Sequence, residues 1–428
     1  MNNVKEHEDL LSPKRSPEKV RLLTAEELLG REEPPKEREL LLPLQELHVK
    51  GLLSFGEETQ FKFGWLNILV GPNGSGKSNL VDCIRVLRYA PLDIQEAFRD
   101  SGFEDWIFRG NENNTAFLEI LAHIAGQRGG IRHQLRLGPV SRSRAPLEEV
   151  ILSAEDSLID PYFIGSHRGG ATLSVAGSTK RRRERELGGK EYNSFQSILS
   201  QIRDVVQYPE VTQLSSLYAN FRIYSEWAFG RNSNLREAAP AGRSEATLSE
   251  SMNDFPLVLN ALEKTAAHSK IKDLLHELKE TYEDYVTRIL FGRVGLELLE
   301  APFEDPLPAK RLSDGTLRFL ALAAILLHSE PPVLICLEEP ELGMHPDMIR
   351  IVARMIVDAA SRTQLIVTTH SEHLLTALQD DFDALFAFDA GLTGSVVRRF
   401  SREEYKNWRE EHSLGELWTS GELGGNRW

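Results

Sequence analysis

The sequence predicts an α/β fold with a parallel sheet, an antiparallel β lobe and a helical insertion. Two apolar runs, VLICL and QLIVT, alternate with helical stretches between Leu312 and His370, as fully buried parallel strands do. The apolar NILV leads into GPNGSGKS, and Leu80, Val81, Ile84 and Leu87 follow at helical spacing, which reads as strand, loop and helix. Between Asn114 and Tyr192 the short segments AFLEILAHI, IRHQLRLG, EEVILS and PYFIGS, separated by Gly-rich breaks, read as an antiparallel sheet.

Taken in order, residues 1–40 are rich in Glu, Lys, Arg and Pro and read as a charged, weakly ordered leader. LQELHVKG, TQFKFG and LNILV then read as three strands closing on the Gly71–Ser78 loop. Residues 41–195 are the N-terminal part of the main fold, with the antiparallel lobe. Residues 196–300 read as the helical insertion. Within it, 195–220 are helical and the polar, small-residue stretch 230–254 reads as a surface loop. Ile271, Leu274, Leu275, Leu278, Tyr282, Tyr285, Val286 and Ile289 line one helical face, so a helix reaching about Leu290 is expected, either packed on the core or as a short arm. Residues 301–400 return to alternating helix and strand. The tail 401–428 carries Trp418 and Trp428, which either close on the protein's own body or dock a partner.

The 428 residues are 41% hydrophobic and 27% charged, a globular composition. No run approaches the ~20 apolar residues that cross a bilayer, and the charged start has no signal-peptide core, so no membrane association and a cytoplasmic location are expected. Cys83 and Cys336 sit in apolar runs and read as reduced core residues, leaving no disulfide framework or zinc site. The net charge of −14 argues against a uniformly basic nucleic-acid surface. The one dense basic run, Lys180 to Arg183, fits either a solvated loop tip or a contact with phosphates or an acidic partner.

GPNGSGKS fits the phosphate-loop pattern through Gly71, Gly76, Lys77 and Ser78. Its glycines let successive N–H groups turn inward toward phosphate oxygens, at the positive end of the following helix. Gly71, Asn73, Gly74, Ser75, Gly76, Lys77, Ser78 and Asn79 are thus the candidate ATP-binding residues. Lys77 is expected to reach the β- and γ-phosphates, and the Ser78 hydroxyl to hold Mg²⁺.

VLICLEEPE places Glu338 and Glu339 at the C-terminal end of a buried strand, where α/β sheets bind their ligands. One carboxylate suits the Mg²⁺ shell and the other suits activation of the attacking water. QLIVTTH ends a second buried strand at His370, whose imidazole can contact a γ-phosphate. Ser313 can cap the apolar helix that begins at LSDGT. With Gly315 it offers a second phosphate-binding surface, which suggests service to the nucleotide of another subunit.

The ordered set GPNGSGKS, LSDGTLRFLAL, LICLEEPELGMHP and LIVTTHSEHLL resembles the ABC-type ATPase heads of the RecF/SMC-like branch, which includes the OLD-type ATPases, across about residues 44–400. The resemblance implies a P-loop NTPase fold and a homodimer of two heads enclosing two ATP molecules, with Ser313 and Gly315 acting in trans. It implies that Glu339 is the catalytic carboxylate, Glu338 a metal-shell residue, His370 the switch histidine and His345 part of the loop that faces the partner head. It also implies a glutamine in the metal and water shell, with Gln201 the candidate and Gln95 its rival. Glu338 departs from the commoner Asp, and LSDGT from the transporter-like LSGGQ.

Long coiled-coil arms and a nuclease-like domain of this branch have no counterpart in the sequence as read. The expected function is therefore an ATP-hydrolysing switch or scaffold for a separate effector protein in bacterial anti-phage defence. A DNA repair or maintenance ATPase that binds DNA directly is the alternative. A non-hydrolysing scaffold held together by ATP is the third.

Overall fold

The computed structural model describes residues 41–423 apart from 111–114, 125–128, 139–145, 156–160, 167–169, 177–182, 228–229, 241–246, 279–281, 291–292, 301–303 and 401–411. Strands β1 (Leu44–Lys50) and β2 (Thr59–Lys62) begin an antiparallel sheet, and β3 (Leu66–Val70) begins a second, largely parallel one. Helix α1 (Lys77–Tyr89) follows β3. The antiparallel sheet grows through β4 (Ala116–Ala122), β5 (Ile131–Leu137), β6 (Leu147–Ser153), β7 (Phe163–Gly165), β8 (Ala171–Val175) and β9 (Arg183–Leu187), in spatial order β2-β1-β4-β5-β6-β7-β8-β9. Alternating burial along β4 and β5 gives this sheet one core face.

Helices α2 (Ile198–Gln201) and α3 (Pro209–Ala219) lead to β10 (Phe221–Tyr224). A small layer follows: β11 (Ala239–Pro240), α4 (Phe255–Leu262), α5 (Ala266–Leu278), β12 (Tyr282–Leu290), β13 (Arg293–Glu300) and β14 (Leu307–Pro308). Then come α6 (Asp314–Leu326), β15 (Leu334–Glu338), α7 (Pro346–Ala359), β16 (Gln364–Thr368), α8 (Glu372–Ala377), β17 (Leu385–Gly391), β18 (Gly394–Arg399) and α9 (Leu414–Thr419). The second sheet has the order β10-β15-β16-β3-β17-β18, and only β18 runs antiparallel to its neighbour.

Both faces of this parallel sheet are covered, which explains its unbroken apolar strands. Ile68, Ile335, Leu337, Leu365 and Val367 cluster with α6, α7 and α8. Leu69, Leu334, Cys336 and Ile366 cluster with α1, α3 and the antiparallel sheet. The two sheets are joined by Gln364, which is fully buried. Its oxygen accepts from the Leu44 N–H at 2.9 Å, and its amide donates to Leu44 O at 2.7 Å and Gly64 O at 3.0 Å.

Several expectations change. The helix expected to reach Leu290 ends at Leu278, and Tyr282–Leu290 is strand β12, paired antiparallel with β13. Apolar residues spaced by four fit a strand as well as a helix, and the Tyr and β-branched content of YEDYVTRIL favours the strand. The stretch 196–300 is therefore a mixed insertion, and its β10 is an edge strand of the parallel sheet. The expected surface loop 230–254 folds inward in part, with Leu235, Arg236, Leu248 and Met252 buried. Strands β1 and β2 lie in a different sheet from β3. Cys83 and Cys336 are buried free thiols. No helix among the described residues is long and apolar enough to cross a membrane. Residues 1–40, Lys180 to Arg182 and Trp428 lie outside the described residues, while Arg183 is exposed on β9 and Trp418 is buried.

Gln364→Leu should remove the side-chain partner of two buried backbone groups, the Leu44 N–H and C=O, while Gly64 O keeps the Asn67 amide at 2.9 Å. The expected loss is about 2–4 kcal/mol at roughly 1 kcal/mol or more per group, measured by urea unfolding. A variant as stable as the parent would show that Gln364 does not join the sheets.

Candidate functional site

The parallel sheet delivers its polar residues to one edge. Glu338 of β15 pairs with Thr368 of β16, Thr368 with Leu69 of β3, and Leu69 with Phe386 of β17. The loop that begins at Gly71 therefore leaves β3 beside Glu338 and the end of β16. Gly76 has φ 107° and caps α1 without a side chain, and a Cβ there would run into the hydroxyls of Ser395 and Ser54. Those serines brace the loop: the Ser395 hydroxyl donates to Ser75 O at 2.6 Å and shares a hydrogen bond with the Ser54 hydroxyl at 2.6 Å. Asn73, Gly74, Ser78 and Asn79 lie on its accessible side, whereas Ser75 and Lys77 are buried.

Lys77 lies across the loop, donating to Gly71 O at 2.7 Å and Pro72 O at 3.0 Å. Burial lowers its amine to about 8, against the opposing pull of Glu339 and Glu338. Burial and the Lys77 charge also hold the His370 imidazole below its ordinary range, while Glu339 opposes them. The His370 ring lies 3.4 Å from Glu339 Oε1. Lys77, Glu338, Glu339 and His370 thus form one electrostatic cluster at the loop.

The two carboxylates differ in setting. Glu338 is the last residue of β15, and the Ser78 hydroxyl lies near its carboxylate. Burial raises its carboxyl, with Asp82 adding to the shift and Arg85 opposing it. Glu338 Oε1 is buried without a hydrogen-bond partner among the described residues. An orphaned hard oxygen beside a serine hydroxyl suits a cation such as Mg²⁺, which takes few protein ligands and completes its shell with phosphate oxygens and water. No all-protein metal cage of three or more His, Cys, Asp or Glu occurs among the described residues. Glu339 has φ 45°, a strained conformation for a non-glycine residue. Its N–H is held by Thr368 O at 3.0 Å, and this kink takes it out of line with β15.

Residues with no motif of their own hold this kink. The Trp227 indole donates to Glu338 O at 2.6 Å, and the Arg318 guanidinium lies 5.3 Å from the centre of the Trp227 ring. Arg318, from α6, donates to the carbonyl of Leu342 and, at 3.5 Å, to that of Glu339. Burial lowers it to about 10, with Glu341, Glu339 and Asp314 opposing. Arg318 stands inside LRFLAL and reads as an ordinary helical residue, and Trp227 lies far away in sequence.

The LSDGT segment, Leu312–Thr316, here called the signature segment, opens α6, the helix that carries Arg318. The Ser313 hydroxyl accepts from the Thr316 N–H at 3.1 Å and caps α6. A Cβ on Gly315 would meet Gly343 O at 3.1 Å, so this glycine packs closely on the turn after Glu339. Arg236 pins the segment, donating to Ala309 O at 3.0 Å, to Leu312 O at 2.7 Å and to the Asp314 carboxylate. His345 caps α7, accepting from the Asp347 N–H at 3.3 Å, and its side chain is exposed.

Gln201 is not brought to the other predicted residues. Its amide accepts from the Asn193 N–H at 2.9 Å and donates to the carbonyls of Asn193, Gln196 and Ser197, so it serves its own turn and offers no ligand beside Ser78. These hydrogen bonds speak for a local role of Gln201 rather than the expected place in the metal shell. The rival Gln95 donates to Phe195 O at 2.7 Å.

A family model described as "AAA domain, putative AbiEii toxin, Type IV TA system" matches residues 66–376. Among curated proteins, the chromosome partition protein Smc of Myxococcus xanthus (strain DK1622) is 42% identical over 73 residues, 16% of this chain and 6% of that protein. The Smc of Desulfitobacterium hafniense (strain Y51) is 41% identical over 71 residues, with the same shares. The matched stretch thus spans 6% of the length of these relatives. The solved Smc head bound to the C-winged helix domain of ScpA aligns with a TM-score of 0.55 at 16% identity, covering 85% of this chain and 99% of that one. The Smc head domain with an extended coiled coil from Pyrococcus furiosus aligns at 0.53 and 13% identity, covering 86% and 98%. These likenesses show the fold: a P-loop NTPase of the ABC-type head architecture.

A phosphate beside Lys77 favours the ammonium form. Nucleotide binding should therefore take up protons at pH 8.5–9, above the Lys77 value of about 8. Affinity should fall as pH rises through that range. Calorimetry in two buffers of different ionisation enthalpy measures the uptake, and zero uptake would contradict a neutral Lys77 in the free protein.

Proposed function

The chain belongs to the family described as AAA domain, putative AbiEii toxin, Type IV TA system, and on that premise we propose that it binds ATP with Mg²⁺ at the Gly71–Ser78 loop and hydrolyses it. The observation that carries the reading is the orphaned, buried Glu338 oxygen at the end of β15, beside Ser78 and next to Lys77, Glu339 and His370. Ser78 and Glu338 would hold the metal, which when bound neutralises phosphate charge. The loop N–H groups and Lys77 bind and orient the phosphates. Glu339 accepts the proton of the attacking water, its place set by the left-handed kink. His370, kept neutral by burial and by Lys77, donates a hydrogen bond toward the terminal phosphate.

In this proposal two copies face each other, and Ser313 and Gly315 of one complete the site of the other. Ser313 spends its hydroxyl on capping α6 through the Thr316 N–H, so what this helix end offers a partner is its remaining N–H groups. ATP then works as a switch that joins two heads and signals to a separate effector protein, in the setting of bacterial anti-phage defence. The family description, with its toxin and its Type IV system, supports a switch paired with a second protein. An Smc head solved with a bound winged-helix domain supports the same kind of assembly. The net charge of −14 weighs against direct DNA clamping as the main role.

Lys77→Ala should abolish nucleotide binding in a fluorescent-nucleotide titration. Glu339→Gln should still bind ATP, lose about 100-fold or more in turnover, as expected for loss of a general base, and accumulate an ATP-dependent dimer in light scattering. Normal turnover in that variant, or a monomer at saturating ATP, would refute the assignment of Glu339 or of the dimer respectively.

A further inference from the structure

Glu341 lies two residues beyond Glu339 and is buried, 8% exposed. One of its oxygens, Oε1, accepts from the Thr369 hydroxyl and from the His370 N–H at 3.3 Å. Thr369 is fully buried, its N–H is held by Leu69 O at 3.0 Å, and its hydroxyl accepts from the Ser371 N–H at 2.9 Å. Ser371 in turn caps α8. The residues on both sides of His370 are therefore fixed through Thr369, and Glu341 is the acceptor at the centre of that arrangement. The other Glu341 oxygen is buried without a hydrogen-bond partner among the described residues.

The backbone of Glu341 belongs to a different structure. Its carbonyl accepts from the Met344 N–H at 3.0 Å, and the Glu339 carbonyl accepts from the Leu342 N–H at 3.1 Å, which closes the turn from Glu339 to Met344. That turn packs against Gly315 and is held by Arg318. One side chain thus joins the turn beside the signature segment to the histidine that contacts Glu339.

We infer that Glu341 is a positioning residue for His370, which fixes the imidazole to the turn at Glu339–Met344 so that a shift of that turn moves the histidine. This rests on the proposed ATPase reading, and it assigns Glu341 a role other than that of a spare catalytic base. A base would need its charge. A positioning acceptor needs only an oxygen in the same place, which Gln also supplies.

The test compares Glu341→Ala and Glu341→Gln in the full chain, each alone and combined with His370→Ala. Glu341→Ala should lower kcat about tenfold or more, on the scale of a lost hydrogen bond to a charged group, with KM for ATP unchanged. Glu341→Gln should retain kcat within about threefold, since its oxygen still accepts both hydrogen bonds. On the His370→Ala background, Glu341→Ala should have no further effect. Equal losses with and without His370 would reduce Glu341 to a structural residue, and a Glu341→Gln variant as dead as Glu341→Ala would make it a base. A second measurement needs no turnover. The ring resonance of labelled His370, assigned through His370→Ala, should move on Glu341→Ala and hold on Glu341→Gln, in the free protein and with a non-hydrolysable ATP analogue. An unmoved resonance would overturn the inference. Absence of turnover in the parent protein would instead refute the ATPase reading and leave the resonance to decide this one.

Discussion

The candidate site depends on one register. Glu338, Thr368, Leu69 and Phe386 stand side by side across four strands of the parallel sheet. Parallel pairing sends the strands out at the same edge, so Glu338, the strand that ends before His370 and the root of the Gly71–Ser78 loop arrive together. A slip of one residue would turn each of these side chains to the opposite face. The apolar strands and the two cores that enclose them hold the register.

Burial then sets the chemistry of what the register assembles. Desolvation works against five charges at this edge. It lowers Lys77, Arg318 and His370 and raises Glu338 and Glu341; opposite charges restore part of the shift at the first four, and hydrogen bonds from Thr369 and the backbone do so at Glu341. The charges at this edge are thus under electrostatic strain. The strain has a backbone counterpart in Glu339, held at positive φ by Thr368 and by the carbonyl contact from Arg318. Because Arg318 starts from α6, the position of that helix bears directly on Glu339.

Legibility in the sequence followed the range of the interactions. Gly71 to Ser78, Glu338 with Glu339, and His370 stand out because each belongs to a short segment whose local backbone explains it. The helix that was expected to reach Leu290 failed for a related reason: spacing by four suits two periods, and pairing with β13 chose between them. Gln201 was chosen for its residue type, yet the carbonyls of its own turn claim its amide. Trp227, Arg236 and Arg318 gave no signal, since their partners are distant in sequence or are backbone carbonyls that carry no residue identity.

The sequence by itself therefore determined the fold class, the phosphate loop and the acidic strand end. A glycine pattern and an apolar run that ends in carboxylates are local consequences of backbone geometry and burial. The tertiary structure alone decided how these pieces are held: Glu341 under His370, Arg318 and Trp227 under the Glu339 kink, and Gln364 between the sheets. Such contacts form only when packing brings distant segments within hydrogen-bond range, and no periodicity along the chain encodes that proximity.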